Sequence, residues 1–154
     1  MAKATSINVT ESAKHYKFEY LNLIQGNISR MAGNSALMKG FAATILAAML
    51  GMWLADNVKW YYIVVAFILV LAFIRLDIYY LQLEKRYRNL YELVAEGKID
   101  EHNFSLNLKG QTLSKHKELI NKGSGFFKTL VSTSIWAFYI WFLVLVVVMI
   151  VLIA

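Results

Sequence analysis

At 154 residues, 58% apolar and 14% aromatic, with a mean hydropathy of +0.49 and no proline, the chain falls outside the composition of soluble domains and reads as an integral membrane protein, a single membrane domain over residues 1–154. The absence of cysteine excludes a disulfide framework, a thiolate nucleophile and a Cys-ligated metal. Of the 16 Lys and Arg residues behind the net charge of +6, five lie in residues 1–40, one is Lys59 and ten run from Arg75 to Lys128; this asymmetry follows the positive-inside rule and points to topology and anionic-lipid contact rather than nucleic acid.

Residues 1–8 lack the charged and apolar regions of a cleavable signal, so the first membrane helix is expected to direct insertion. Thr10 is placed to cap a helix, with Glu11 in its first turn. From there Phe18, Leu21, Ile24, Ile28 and Met31 recur at three- and four-residue spacing, giving an N-terminal amphipathic helix over 11–35. Such a helix lies in the membrane interface or packs on another helix. Gly26, Gly33 and the polar Asn27, Ser29, Asn34 and Ser35 favour packing. A first span follows over 38–54, with Lys39 at its cytoplasmic edge. Ala43/Ala47/Gly51 and Gly40/Thr44/Ala48 both have small-xxx-small spacing, which allows close backbone approach to the neighbouring span or to a second copy.

Only residues 55–59 separate this span from the next, a length that imposes an antiparallel hairpin with Trp53, Trp60, Tyr61 and Tyr62 as an aromatic belt. The second helix is expected over 60–95. It is apolar to Ile74 and then charged and aromatic, with no Gly or Pro before Gly97, so it should leave the membrane and continue into the cytoplasm. Leu76, Tyr80, Leu83, Tyr87, Leu90 and Val94 are spaced 4, 3, 4, 3, 4, a heptad seam that would pack on the 11–35 helix or on a neighbouring subunit. Glu84, Arg86, Arg88 and Glu92 flank it. Asp77 falls at the membrane boundary beside Arg75, where partial desolvation demands a cationic partner, Arg30 or Lys39. Residues 96–125 form a polar cytoplasmic insert: a loop including Asp100-Glu101-His102-Asn103, a short strand over 104–108, a two-turn helix over 112–121 and a hinge at Lys122-Gly123-Ser124-Gly125. The third span, over 130–154, starts near Ser134, with Trp136, Phe138, Tyr139, Trp141 and Phe142 in its cytoplasmic half and Lys128 as an anchor.

No chemistry-bearing constellation emerges. His15, His102 and His116 have no metal-ligand spacing, the only adjacent carboxylates are Asp100 and Glu101, and there is neither a Ser/His/Asp order nor a P-loop. An enzyme, a metal site and a bound cofactor are therefore not expected. The span interiors hold no ionisable residue, which disfavours a proton-coupled transporter, whereas an apolar pore that closes by dewetting needs none.

Leu23-Ile24-Gln25, Ile28-Ser29-Arg30-Met31-Ala32-Gly33-Asn34-Ser35 and Lys39-Gly40, followed by Leu76-Asp77-Ile78-Tyr79-Tyr80-Leu81 with Glu84, Tyr87-Arg88 and Leu90-Tyr91, carry a resemblance. The combination resembles a broad family of small bacterial membrane proteins with an R-M-x-x-N-S-x-x-x-K-G segment before a membrane hairpin and an L-D-x-Y-Y-L-x-x-E segment after it. The resemblance implies an inner-membrane effector of the kind that accompanies anti-phage systems. It gives Arg30, Asn34, Lys39, Asp77, Tyr80, Glu84, Tyr87 and Arg88 roles in structure and assembly. The expected fold is thus an all-α integral membrane protein, with three transmembrane helices, an N-terminal amphipathic helix and a cytoplasmic extension of the second span. Its N-terminus would be cytoplasmic and its C-terminus periplasmic. The expected function is a homo-oligomeric pore or membrane-perturbing effector; the alternative is a membrane anchor for a soluble cytoplasmic partner.

Overall fold

The computed structural model describes residues 2–55, 60–99, 105–108 and 111–153. Its elements are α1 (Ala2–Leu54), α2 (Trp60–Ala95), a 3-10 segment (Gln111–His116), α3 (Lys117–Asn121), α4 (Phe126–Leu130) and α5 (Thr133–Ile153). The chain is 87% helical, with no strand among the described residues. Two stretches, Glu11–Met52 and Lys117–Val144, are long and apolar enough to cross a membrane. The expected turn at 56–59, the loop at 100–103, Phe104 and the side chains of Trp53 and Trp60 lie outside what is described.

The 11–35 and 38–54 elements are one uninterrupted helix of 53 residues. Thr10 does not cap it, because the helix-favouring Ala2, Lys3 and Ala4 carry the helix back to Ala2. Gly26 and Gly33 each weaken a helix by about 1 kcal/mol relative to alanine, too little to break one held by packing. Along α1, Ile24, Ile28, Met31, Ser35, Ala42 and Met49 are buried, and the partly buried Met38 and Ile45 complete an unbroken heptad seam. Phe18 does not belong to it and is 62% exposed; Tyr20 is buried instead.

Two compact units share α1 and α2: Met1–Met31 with Leu83–Ser124, and Ala32–Gln82 with Gly125–Ala154. In the first unit, Tyr20, Ile24 and Ile28 of α1 pack with Leu90, Leu93 and Val94 of α2, and Ile99, Leu113 and Ile120 close the core. Gly97 ends α2 in a left-handed turn (φ 71°), with Gly97 N–H donating to Val94 O and Lys98 N–H to Leu93 O. That pairing satisfies the last carbonyls of the helix. Lys17 Nζ adds a third bond, to Ala95 O at 3.2 Å.

Residues 105–107 are not a strand. Their carbonyls go to tyrosine hydroxyls rather than to a partner strand: Tyr20 donates to Ser105 O at 2.7 Å and Tyr87 to Leu106 O at 3.3 Å. The alternation read in the sequence reflects Leu106 and Leu108 packing on the core. The expected helix over 112–121 is a 3-10 segment continuing into α3. Asn89 Nδ2 sits among the carbonyls of Ile120, Lys122 and Leu119, at 2.8, 2.8 and 3.4 Å. The expected hinge is a pinned turn: Gly123 has φ 75°, and the buried Ser124 hydroxyl donates to Asn121 O and accepts from Arg86 Nε.

In the second unit, Ala42, Val70, Ile78, Leu81, Ile135, Tyr139 and Phe142 form the core. Here α1 and α2 run antiparallel, Ser35 meeting Asp77 while Phe41 meets Phe73 with ring centroids 6.0 Å apart. The seam of α2 differs from the expected one in its first half. Leu76 is 43% exposed, and Asp77, Ile78 and Leu81 are buried in its place.

Asn89→Ala would remove the side-chain donor from the part-buried Ile120 carbonyl and from the exposed Lys122 carbonyl, while Leu119 O keeps the Lys122 N–H, at about 1 kcal/mol. Hydrogen exchange should speed up across residues 113–124 and stay unchanged in residues 35–50; uniform exchange in the variant would remove this role for Asn89.

Candidate functional site

The one buried charge cluster among the described residues is built by three helices of the second unit. Ser35 and Lys39 lie one turn apart on the buried side of α1, so both address the same point on α2. That point is Asp77, whose side chain is fully buried. Lys39 Nζ is 2.7 Å from Asp77 Oδ2 and 3.0 Å from Oδ1, and it donates to Ser35 Oγ at 3.0 Å. The Ser35 hydroxyl in turn donates to Asp77 Oδ1. Tyr139 of α5 closes the cluster. Its buried hydroxyl is near enough to interact with the carboxylate but falls short of a well-aligned hydrogen bond, and Oδ2 likewise has the ammonium as an ion-pair partner without an aligned donor.

A carboxylate taken wholly out of water costs several kcal/mol unless a counter-charge and hydrogen bonds replace its hydration. Asp77 has both, so its position is tied to the register of α1 against α2. Lys39, 18% exposed, keeps a path to the surface for part of its side chain.

Of the residues expected to act in assembly, the structure joins only Lys39 and Asp77 across helices. Arg30 is exposed and bonds to Asn27 on its own helix at 2.7 Å, so it is not the partner of Asp77. Glu84 and Arg88 pair with each other one turn apart on α2 at 2.7 Å. Tyr87 serves the 105–108 segment, Tyr80 stacks edge-on against Tyr79, and Asn34 is half-buried. Ser35, expected only to favour helix packing, and Tyr139, expected only as an aromatic of the third span, are the partners of Asp77 that the sequence does not reveal. The first stands at a heptad position, 28–35–42–49, which the stripe from Phe18 obscured. Tyr139 lies 62 residues from Asp77 in a uniformly apolar span, and no local signal marks it.

In the first unit, burial and then the nearby Tyr87 push the Tyr20 phenol above its ordinary range. The hydroxyl that holds Ser105 therefore stays protonated at neutral pH. Among the described residues no three His, Asp or Glu side chains converge as metal ligands. No family model, curated protein or solved structure matches the chain.

The cluster makes an ordered prediction for thermal unfolding in detergent. Lys39→Met strands a buried carboxylate and should cost about 3 kcal/mol or more. Asp77→Asn should cost less, since Lys39 can turn outward and asparagine can still accept from Ser35. Lys39→Met combined with Asp77→Leu should be more stable than Lys39→Met alone. Equal melting of all three with the native protein would show that the pair holds nothing.

Proposed function

We propose that the chain is a three-span bacterial inner-membrane protein that self-associates through α1 into a homo-oligomeric pore or membrane-perturbing effector. Its N-terminus is cytoplasmic and its C-terminus periplasmic, in keeping with the charge distribution. The observation that carries this reading is the placement of the small residues of α1. Gly40, Ala43, Thr44, Ala47, Ala48 and Gly51 are all exposed, on the side of the helix opposite the Ser35–Ala42–Met49 seam. A Cβ added at Gly40 or Gly51 would meet nothing within 4 Å. The Thr44 hydroxyl is spent on Gly40 O at 3.0 Å, which leaves its methyl group outward.

Apolar side chains gain nothing from each other in lipid, so helices there associate by van der Waals contact where small residues let backbones approach. Ala43 and Ala47 border α5 at one edge of this face, and Gly40, Thr44, Ala48 and Gly51 remain open to a second copy. Beside the face runs a shallow apolar groove of about 290 Å³, with Ala43, Leu46, Ala47 and Leu50 on one wall and Ala137, Phe138, Trp141 and Phe142 on the other. The outward Val64, Val65, Phe67, Ile68, Leu69 and Leu71 of α2 and Val144, Val147, Val148 and Val151 of α5 support immersion in hydrocarbon, because so much exposed apolar surface is untenable in water. The pore reading assigns catalysis to no residue, and the anti-phage setting is the one that the resemblance implies.

Exposed Lys115, Lys117 and Lys122 favour the second reading, an anchor that recruits an acidic soluble partner. Detergent-purified protein should migrate as an oligomer and release dye from liposomes, and Gly40→Leu with Ala48→Leu should give monomers of native helical content and no release. A native protein that is strictly monomeric and inert in liposomes removes the pore. Co-purification of a stoichiometric soluble protein without membrane leakage establishes the anchor.

A further inference from the structure

Three features of the second unit lie outside the helix-packing argument: the exposed Arg75, the short α4 and the exposed residues that lead into α5. Arg75 follows the apolar residues 60–74 of α2 directly, and α4 precedes α5 with only Val131 and Ser132 between them. The Arg75 guanidinium lies over the Phe126 ring, 5.1 Å from its centroid, and Phe127 packs edge-on against Phe126 at 5.6 Å. The ring holds the guanidinium by its face without using an acceptor, and no hydrogen bond or ion pair engages Arg75 among the described residues. Phe127 is 78% and Val131 68% exposed, Trp136 is exposed in the first turn of α5, and the buried Thr129 marks the inner side of α4. Neither Arg75 nor Lys128 forms an ion pair among the described residues, whereas Lys39, in the same unit, is neutralised by Asp77.

We propose that Arg75 and Lys128, with Phe126 and Phe127 of α4, form a binding site for the phosphate headgroup of an anionic phospholipid. The planar fork of Arg75, held by Phe126, supplies paired donors to the phosphate oxygens. Lys128 supplies a second charge, and Phe127 and Val131 enter the acyl boundary as interfacial apolar groups do. Charge complementarity selects the ligand: two cations without protein counter-ions flank exposed aromatic rings where the apolar helices begin and end. This inference rests on immersion of the second unit in lipid, not on self-association or a pore.

Full-length protein in nanodiscs of phosphatidylcholine, with and without phosphatidylglycerol, tests the site through native mass spectrometry of retained lipid and through thermal unfolding. Native protein should retain phosphatidylglycerol selectively and melt at a higher temperature in its presence. Arg75→Gln and Lys128→Gln should each lower that preference about fivefold, and the double variant should lose it. Arg75→Lys should keep part of it. Lys14→Gln, an exposed cation of the first unit, should leave it intact. An unchanged preference in the double variant overturns the site, as does full stabilisation of the phosphatidylcholine form by inorganic phosphate alone. Native protein that enters neutral discs and shows no headgroup preference overturns this site while leaving the membrane reading standing. Failure to enter any disc removes both.

Discussion

The Lys39–Asp77 ion pair is the constraint from which the register of α1 on α2 in the second unit follows. Most contacts in the second unit are apolar and tolerate sliding, since one aliphatic side chain substitutes for another with little loss. A buried carboxylate is different: displaced by one helical turn, it would lose both its ammonium and the Ser35 hydroxyl while still buried. The pair contributes little net stability against an apolar replacement but penalises every wrong alignment. It specifies the structure more than it strengthens it, in the manner of a polar residue placed in a coiled-coil seam.

In the second unit, that register fixes which side of α1 faces inward. Ala42 lies in the core of the second unit, and Ile24 and Ile28 lie in that of the first. Because the seam faces inward, the small residues of the other side face outward. The same rotation of α1 that buries Ser35 therefore exposes Gly40, Thr44 and Ala48. The small-residue face and the internal lock are two sides of one helix, and neither can be rotated without the other.

Much of this was legible in the sequence. The helical class, the second helix continuing through Ile74 into its charged half, the stop at Gly97, the start of α5 near Ser134 and Lys39 as one of two candidate partners for Asp77 all follow from composition, punctuation and charge. The rest failed for identifiable reasons. A seam through Leu76 and Phe18 follows from the burial preference of leucine and phenylalanine in helices surrounded by water. On a surface as apolar as this one, an outward leucine costs little and an outward aspartate without a partner costs more, so Asp77 and Leu76 exchange places. The alternation at 104–108 imitated a strand because two leucines reach the same core from an extended segment whose carbonyls are satisfied by Tyr20 and Tyr87. Tyr139 joins the site from a distant span, and pattern within a single window carries no such information.

The nesting of the two units has a consequence for the order of synthesis. Each unit is made of two separated pieces of chain, and each draws on both α1 and α2. A ribosome delivers Lys39 and Asp77 long before Tyr139, so the hairpin of α1 and α2 has its charge pair available while α5 is still unmade. The core of the first unit can close once Ser124 has emerged. Only then does α5 arrive, bringing Ile135, Tyr139 and Phe142 to a hairpin whose alignment is already chosen. α5 is thus the last element of the second unit to be made. A chain arrested before that point would hold the Asp77 carboxylate with its lysine but without its cover.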